Sequence, residues 1–550
     1  MASTYQAPQY PYVTPPELAR GGVVRTQVAI VGAGPIGLAA AIDLTLQGIA
    51  VIIIDDNNTV SVGSRAICYA KRALEILDRL GCGDPICTRG VSWNVGKVYF
   101  HDQLAYRFDL LPEAGHKRPA FVNLQQYHLE ETLVDRLLAL GESVRWRNTA
   151  VGVTQDAAQV RLEVDTPDGR YAIVADYVIA ADGARSPLRD MMGLEWKGQV
   201  FRDRFLIADV KMKAEFPPER WFWFDPPFHP GQSALLHRQA DDVWRIDFQL
   251  GWDADPELEK QPGRVIPRIR AMLGDQRPFE LEWVSVYTFQ CRRLDRFVHD
   301  RVIFVGDAAH QVSPFGARGA NSGFQDTDNL CWKLARVLRG QSPASLLLSY
   351  DSERVEAADE NLLNSTRATD FITPKSAVSR VFRDAVLSLS QGHPFARSLV
   401  NSGRLSRPTT HRGSALSTLD RDVFDGPMAP GAPAADAPVR AAGHTAWLID
   451  LIGGRFDLLV FAPVATTVLQ DLQRALGEEV RISVVARQGG SFNRARVIED
   501  AQDLVRERYD ATPGSAYLLR PDQHVAARWR DVRAVEVKEA LERAQGHRLQ

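Results

Sequence analysis

The stretch Thr26–Asp55, TQVAIVGAGPIGLAAAIDLTLQGIAVIIID, decides the fold. Residues 26–31 (TQVAIV) read as a buried strand, and an alanine-rich helix follows up to Gly48. Residues 49–54 (IAVIII) form a second apolar strand ending at Asp55. That is a βαβ unit of about 30 residues. Its turn is Gly32-Ala33-Gly34-Pro35-Ile36-Gly37. Gly32 permits the tight turn, Gly34 lets backbone amides approach a pyrophosphate, and Gly37 lets the helix pack on the strand. The helix N-terminus then faces phosphates with its partial positive charge. A glycine-rich loop alone is weak evidence, because plain turns use the same residues. Here it follows a strand, opens a helix and has its acid, Asp55, about 20 residues on, where a carboxylate reaches an adenosine ribose. Dinucleotide binding follows from this. The choice between FAD and NAD does not.

Outward from this unit, 550 residues exceed one ordinary core, and two to four domains are expected. The composition, 45% apolar and 24% charged with net charge −3, is that of a soluble globular chain. No basic block marks a nucleic-acid or anionic-membrane partner. The first residues, MASTYQAPQYPYVTPPELARGG, lack the basic-then-apolar pattern of a secretory signal. The longest apolar runs are far short of the ~20 residues that span a bilayer. Five cysteines, an odd number with no CxxC, read as free thiols in a reducing cytoplasm, not as a metal site.

Residues 71–80 and 126–140 carry helical patterns, and KVYFHDQLAYRFDL, within 92–124, alternates as strands do. Residues 198–290 are strand-rich, with a β-hairpin over 233–250 turning near Asp241 and Asp242. RVIFVG (301–306) is another buried strand, followed by a loop and a helix over about 321–339 in which Leu330, Leu334 and Leu338 are core. Residues 404–445 are rich in Pro, Ala, Gly and Ser and read as a linker or an extended arm. A separate α/β pattern occupies the remainder.

Two later segments join the glycine turn: YVIAADGARSPLR, with Asp182 and Gly183, and RVIFVGDAAHQVSPFGARGANSGFQDTDNLCWKLA, with Gly306 and Asp307. Together the three resemble the fingerprints of the single-component aromatic hydroxylases, the group A flavoprotein monooxygenases. The resemblance runs from about residue 25 to 375. It implies an α/β fold: a Rossmann-like FAD-binding domain of the p-hydroxybenzoate hydroxylase type, an inserted β-sheet substrate domain and a C-terminal thioredoxin-like domain. The expected boundaries are an extension over 1–24; an FAD-binding domain over 25–91, 125–197 and 291–375; and a substrate domain over 92–124 and 198–290. A helical segment and linker over 376–445 and the C-terminal domain over 446–550 complete the chain.

The resemblance assigns FAD contacts to Gly32, Gly34, Pro35, Gly37, Asp55, Arg65, Gln126, Asp182, Gly183, Gly306, Asp307, Gly319, Ala320 and Asn321, and places Pro314 over the reactive flavin carbon. Physically, Asp307 at a strand end accepts from a ribityl hydroxyl or serves as a turn aspartate. The helix starting near Asn321 aims N–H groups at the pyrimidine edge. The chain departs from the family's usual GQGMN at Gly316-Ala317-Arg318-Gly319-Ala320-Asn321. Arg318 either adds charge near the flavin or points to solvent. His310 is an acid–base residue or a strand-end histidine satisfied by backbone, the second being favoured.

By position, the hairpin and the strand over 284–290 cover the substrate. Alternation puts Arg245, Asp247 and Gln249 on one face, where Arg245 and Asp247 are catalytic candidates and Asp247 orients or deprotonates a phenol. Arg238 is a further substrate candidate, and Tyr287 and Phe289 share a face that lines an aromatic pocket. Each can equally be a satisfied sheet residue. The cluster Trp221-Phe222-Trp223-Phe224 is a pocket wall or an exposed strand edge. The implied enzyme is cytoplasmic and a homodimer, with no metal. It takes a small aromatic substrate, O2, and NADPH or NADH, and hydroxylates through a flavin C4a-hydroperoxide. A halogenase, oxidase or epoxidase on the same fold is the alternative.

Overall fold

A computed structural model describes residues 5–20, 22–63, 65–274, 277–400, 406–490, 492 and 495–548. Ser64, next to the expected contact Arg65, and parts of the expected extension and linker lie outside the described residues. Among those described, the chain forms two eight-stranded sheets, one of seven strands and one of three.

Six strands of the first sheet run Val298–His299, Val302–Phe304, Gly169–Ala180, Val23–Val31, Val51–Asp55, Val144–Trp146, and Val160–Thr166 with Thr149–Gln155 branches from Gly169–Ala180. Its central strands are parallel, and Val31 stands beside both Ala180 and Ile54, with Ala180 beside Phe304. The three motif turns therefore leave one carboxyl edge of one sheet, where α/β folds bind nucleotides. The helix Pro35–Leu46 buries Leu38 through Ile42 completely, because three successive alanines let it lie close to the strands.

The second sheet runs His310–Gln311, Glu280–Leu294, Trp196–Lys211, Val243–Leu250, Ser233–Arg238, Arg220–Phe224, Val95–Phe100, Gln103–Asp109. The hairpin turn is as expected: Val243 N–H donates to Ala240 O at 3.1 Å, and Asp241 and Asp242 take φ of 60° and 57°. These are the two left-handed positions of a type I′ turn, which aspartate tolerates. One face of the sheet packs Trp244, Ile246 and Phe248 against Val265 and Ile269 of the helix Pro262–Leu273. The other packs Phe205, Phe222, Phe224 and Phe289 with Phe315 and with residues of the helices Leu346–Ile372 and Ala377–Gly392.

Several boundaries differ from expectation. Val91–Trp93 and Phe121–Asn123 pair with each other, and Cys68–Ala70 joins them in the three-stranded sheet, so only the middle of 92–124 enters the large one. The strand expected to end at 290 continues to Leu294. The Pro- and Ala-rich stretch is an arm that packs: Thr418 N–H donates to Ala526 O at 2.8 Å and Gly431 N–H to Val525 O at 2.7 Å. The C-terminal sheet already begins at Pro438–Ala441, inside the expected linker. The N-terminal extension lies on the first domain, with Tyr5 stacked on Tyr127 at 3.8 Å and Tyr10 on Trp146 at 4.7 Å.

The seven-stranded C-terminal sheet has Phe456–Phe461 parallel to Val480–Ala486 and antiparallel to Ala516–Leu519. It is joined to the first domain by a buried ion network. Arg520 grips Glu353 with bonds of 2.6 and 3.1 Å, and Lys333 donates to Glu353 at 2.8 Å. Burial alone would raise the Glu353 carboxyl, but Arg520 and Lys333 hold it well below the usual range. Removing one partner strands the others in a low dielectric. Arg520→Ala is therefore expected to cost about 3 kcal/mol and to lower the thermal midpoint. Removing the exposed Arg474 from its pair with Asp471 leaves that midpoint nearly in place.

Candidate active site

The three motifs converge through contacts that only small residues allow. A Cβ on Gly32, whose φ is +104°, would sit 2.4 Å from Ala181 O and 2.9 Å from Asp182 Cα. A Cβ on Gly37 would sit 1.9 Å from Gly32 O. Ile36 fills the space over the third motif, where Cβ atoms on Gly306 and Gly323 would meet it at 3.2 and 2.7 Å. Gln311 Nε2 donates to Ala184 O at 2.8 Å and ties the second motif to the third.

Around this junction the chain leaves room and unspent polarity. A Cβ on Gly34 or on Gly183 would meet nothing within 4 Å. The helices Pro35–Leu46 and Gly319–Leu338 both start without a side-chain cap, so their first N–H groups face outward. Asp182 accepts from Leu188 N–H at 3.0 Å with Oδ2, while its buried Oδ1 has no partner in the structure. Asp307 is reached by solvent yet surrounded by protein, as on the floor of a cleft, and these surroundings push its carboxyl up against the pull of His310 and Arg65. It adjoins the start of the second helix, since a Cβ on Gly319 would be 3.9 Å from Asp307 Oδ1. Open space at the glycine turn, two uncapped helix N-termini and acceptors awaiting hydroxyl donors fit an FAD molecule laid across this edge.

Other expected contacts are engaged with protein. Asp55 accepts from Ala33 N–H at 2.6 Å and from Asn57 N–H at 2.9 Å, so the acid also fixes the turn. Gln126 accepts from Ala66 N–H at 2.9 Å and donates to Ser61 and Glu130 at 2.9 and 2.7 Å. It holds the loop that carries the exposed Arg65. Asn321 accepts from Ala70 N–H at 2.8 Å and donates to Cys68 O at 2.8 Å, binding that same segment to the helix start. Pro314 is exposed at the cleft, while the adjacent Phe315 is buried. Pro35 is the first residue of its helix and Ala320 lies in the first turn of the other.

Arg318 does not point to solvent: it is buried and donates to Asn361 at 2.6 Å. His310 is held by the Asp326 carboxylate at 2.7 Å, not by backbone, and Asp326 is shared with Arg354 at 2.7 Å.

The substrate-side residues lie on the phenylalanine-lined face of the second sheet. Phe205, Phe289 and Phe315 meet pairwise with ring centroids 4.9 to 5.1 Å apart. Tyr287, exposed at 45%, lies 5.9 Å from Phe289, and the protein packed around its hydroxyl pushes that group up to about 12, with Asp307 adding to the rise and Arg65 opposing it. Asp247 pairs with Leu235 and Ile207 across the sheet, and its buried Oδ1 has no partner in the structure. Burial pushes its carboxyl up to about 7, against the pull of Arg245 and with repulsion from Asp209.

One hairpin arginine keeps its expected face and the other does not. Arg245 forms a bidentate pair with Asp209 at 2.9 and 3.1 Å and donates to Arg65 O at 3.1 Å, so it braces the Arg65 loop. Arg238 stands opposite Trp244 in the hairpin, on the face of the sheet away from Asp247. The aromatic cluster is central, not an edge: Phe222 pairs with Leu235 and packs on the face of Phe205, Phe289 and Phe315, while Trp221 and Trp223 pack on the other. Sequence reasoning missed Arg220 and His237, both buried and both on Asp247's face. Their place depends on strand pairing across distant segments.

A profile of the family described as "FAD binding domain" matches residues 25–365. The chain is 29% identical to 3-(3-hydroxy-phenyl)propionate/3-hydroxycinnamic acid hydroxylase 2 of Burkholderia vietnamiensis (strain G4 / LMG 22486), over 92% of this chain and 93% of that protein. It is 30% identical to 6-methylpretetramide 4-monooxygenase of Streptomyces rimosus, over 91% and 90%. In fold it is similar to the flavin-dependent monooxygenase PieE, solved with FAD and substrate, with TM-score 0.80, 23% identity and coverage of 95% and 99%. Aklavinone-11 hydroxylase, solved with FAD and aklavinone, gives TM-score 0.75, 23% identity and coverage of 94% and 99%. Among the described residues no helix is long and apolar enough to cross a membrane.

Proposed function

The chain belongs to the FAD-binding family of flavin-dependent aromatic hydroxylases and monooxygenases, and we propose that it hydroxylates a small phenol with NAD(P)H and O2. The observation that carries this reading is Asp247, a half-buried carboxylate whose enclosed Oδ1 has no partner in the structure and whose surroundings push it up to about 7, on the aromatic face that meets the Phe315 loop. When bound, FAD accepts reducing equivalents from NAD(P)H and activates O2 for transfer of one oxygen atom.

The chain's own residues do the rest. Gly34 and the helix starting at Pro35 receive the pyrophosphate, and Asp55, Asp182 and Asp307 accept from hydroxyls of the cofactor. Arg65 and the N–H groups of Gly319, Ala320 and Asn321 offset negative charge at its ring system. Pro314, exposed beside this helix start, would contact the ring system when the cofactor is bound. Asp247 takes the phenolic proton, so that its electron pair enriches the aromatic ring for attack on oxygen. Phe205, Phe289 and Phe315 keep water out of the chamber, where it would divert reduced cofactor to hydrogen peroxide. The C-terminal domain, which we read as thioredoxin-like and without a CxxC, stiffens the first domain through the Glu353 network and takes no redox part.

The test is a panel of phenols scored for stimulation of NADH and NADPH oxidation, with product and peroxide quantified. A phenol that raises oxidation at least about tenfold and yields a hydroxylated product supports the reading. Substrate-independent peroxide as the sole product would identify an oxidase instead.

A further inference from the structure

The proline- and tyrosine-rich start of the chain precedes the residues that match the family, and the proposed chemistry gives it no task. Pro8 and Pro11 fix backbone angles in this arm, so it loses little entropy on docking. Its tyrosines fasten it along the first domain. Tyr5 stacks on Tyr127 and donates to Glu131 at 2.7 Å, Tyr10 stacks on Trp146, and Tyr12 donates to Thr166 at 3.2 Å. Farther on, Thr14 donates to Asp168.

Between Tyr5 and Tyr12 the arm crosses the connection over residues 55–65. Its two ends carry the expected cofactor contacts Asp55 and Arg65. The described residues between them form no helix and no strand, apart from a single bridge of Thr59 to Gln9 in the arm. The first domain holds the ends: Asn148 and Arg147 N–H donate to Asp55 O and Asn57 O, while Glu130 and Gln126 hold Ser61 and Ala66. The middle takes its hydrogen bonds from the arm. Tyr10 N–H donates to Asn58 O at 2.8 Å, Asn58 Nδ2 donates to Tyr10 O at 3.3 Å, and Thr59 Oγ1 donates to Pro8 O at 2.7 Å. Dense packing does not replace these bonds, because a cavity of about 100 Å³ lies among Tyr5, Ala7, Ser61, Gly63, Tyr127 and Trp283. An irregular segment beside a cavity opens locally at low cost unless something ties it down.

We propose that residues 5–14 are a strap that sets how long FAD stays bound, by keeping the connection over 55–65 closed on the cofactor, with Tyr10 and Thr59 as its positioning residues. This rests on the reading of Asp55 and Arg65 as cofactor contacts. Asn58 and Thr59 stand between those two residues, so freeing them loosens both contacts together. FAD then binds only the closed fraction of molecules, and its apparent dissociation constant rises as the inverse of that fraction.

The test follows FAD release from the reconstituted enzyme, read as the gain in flavin fluorescence after dilution. Tyr10→Ala is expected to speed release at least about tenfold and Thr59→Val severalfold, with the double variant adding little to the first, because both open one strap. Tyr10→Phe keeps a ring on Trp146 and restores wild-type release. Thr14→Ala breaks an arm contact away from the connection and leaves release unchanged. In the apoprotein, amide exchange at Asn57 and Ser61 is expected to quicken in Tyr10→Ala while the strands of the first sheet stay protected. Unchanged release in Tyr10→Ala overturns the proposal, as does faster release with protection lost across the whole first sheet. Thr59→Val decides in the same way if Tyr10→Ala does not fold. A wild type that takes up no FAD would sink the reading of Asp55 and Arg65, whereas variants that hold FAD as long as wild type sink the strap alone.

Discussion

Gly34→Val is expected to yield a folded, colourless protein whose FAD affinity is at least about 100-fold below wild type. Gly34 has φ of −69° and ψ of 179°, an extended conformation open to any residue, and a Cβ there meets no protein atom within 4 Å. The fold therefore tolerates the side chain. It projects beside the uncapped N-terminus of the helix Pro35–Leu46, into the space proposed for the pyrophosphate. Losing two charge-assisted bonds of ~1.5–3 kcal/mol each accounts for the expected factor. Gly32 and Gly37 behave differently. Side chains there collide with Ala181 O at 2.4 Å and Gly32 O at 1.9 Å, so Val at either site is expected to cost the fold itself. Flavin absorbance after reconstitution, set beside far-ultraviolet dichroism, separates the two outcomes. A folded Gly34→Val protein with stoichiometric FAD would remove the glycine turn from the cofactor site.

What could be read from the chain alone follows the reach of each physical constraint. The glycine turn was legible because its demands are local: a left-handed φ at Gly32 and a Cβ-free contact at Gly37 depend on neighbours and on one crossing strand. The hairpin was legible for the same reason, as Asp241 and Asp242 sit where a type I′ turn needs left-handed residues. Arg238 was misplaced because a sheet face is a matter of parity. With Ala240 bonded to Val243 across the turn, Arg238 falls opposite Trp244 and not on the face of Arg245. Arg220 escaped notice because its face is set by pairing with Leu235 and Leu236 from another strand, which no periodicity within its own segment encodes. The partners of Gln126, Asn321 and Arg318 likewise come from segments far away or from another helix, and only packing reveals that these side chains brace backbone. The buried pairs of Arg520 with Glu353 and of Arg72 with Asp328 bridge 167 and 256 positions of sequence, beyond any local pattern.

Asp247→Asn is expected to lower turnover by about 10²–10⁴-fold while leaving FAD content unchanged, and to make the protein more stable at pH 8. Both effects have one cause. Burial pushes the Asp247 carboxyl from 3.8 to about 7, so the folded chain binds a proton that the unfolded chain releases at lower pH. Stability then falls as pH rises from about 4 through about 7, because the unfolded state binds fewer protons in that window. Above it the ionised, buried carboxylate disfavours the fold by up to roughly 4 kcal/mol. Asparagine keeps the shape and carries no charge, so this pH-dependent loss disappears. The same ionised form is the one that accepts a proton, so wild-type turnover should rise through about pH 7 as stability drops, and the variant should show neither limb. Measuring turnover and unfolding midpoints over pH 5–9 in both proteins tests this. Parallel pH–stability curves would mean that Asp247 stays protonated or hydrated throughout. Intact turnover with an unaltered pH limb would assign proton transfer to another group on the same face, with His237 and Cys68 the next to be tested. Loss of the activity limb together with gain of stability is the pairing that a structural carboxylate, satisfied by protein partners, would not produce, since removing such a group lowers stability instead of raising it.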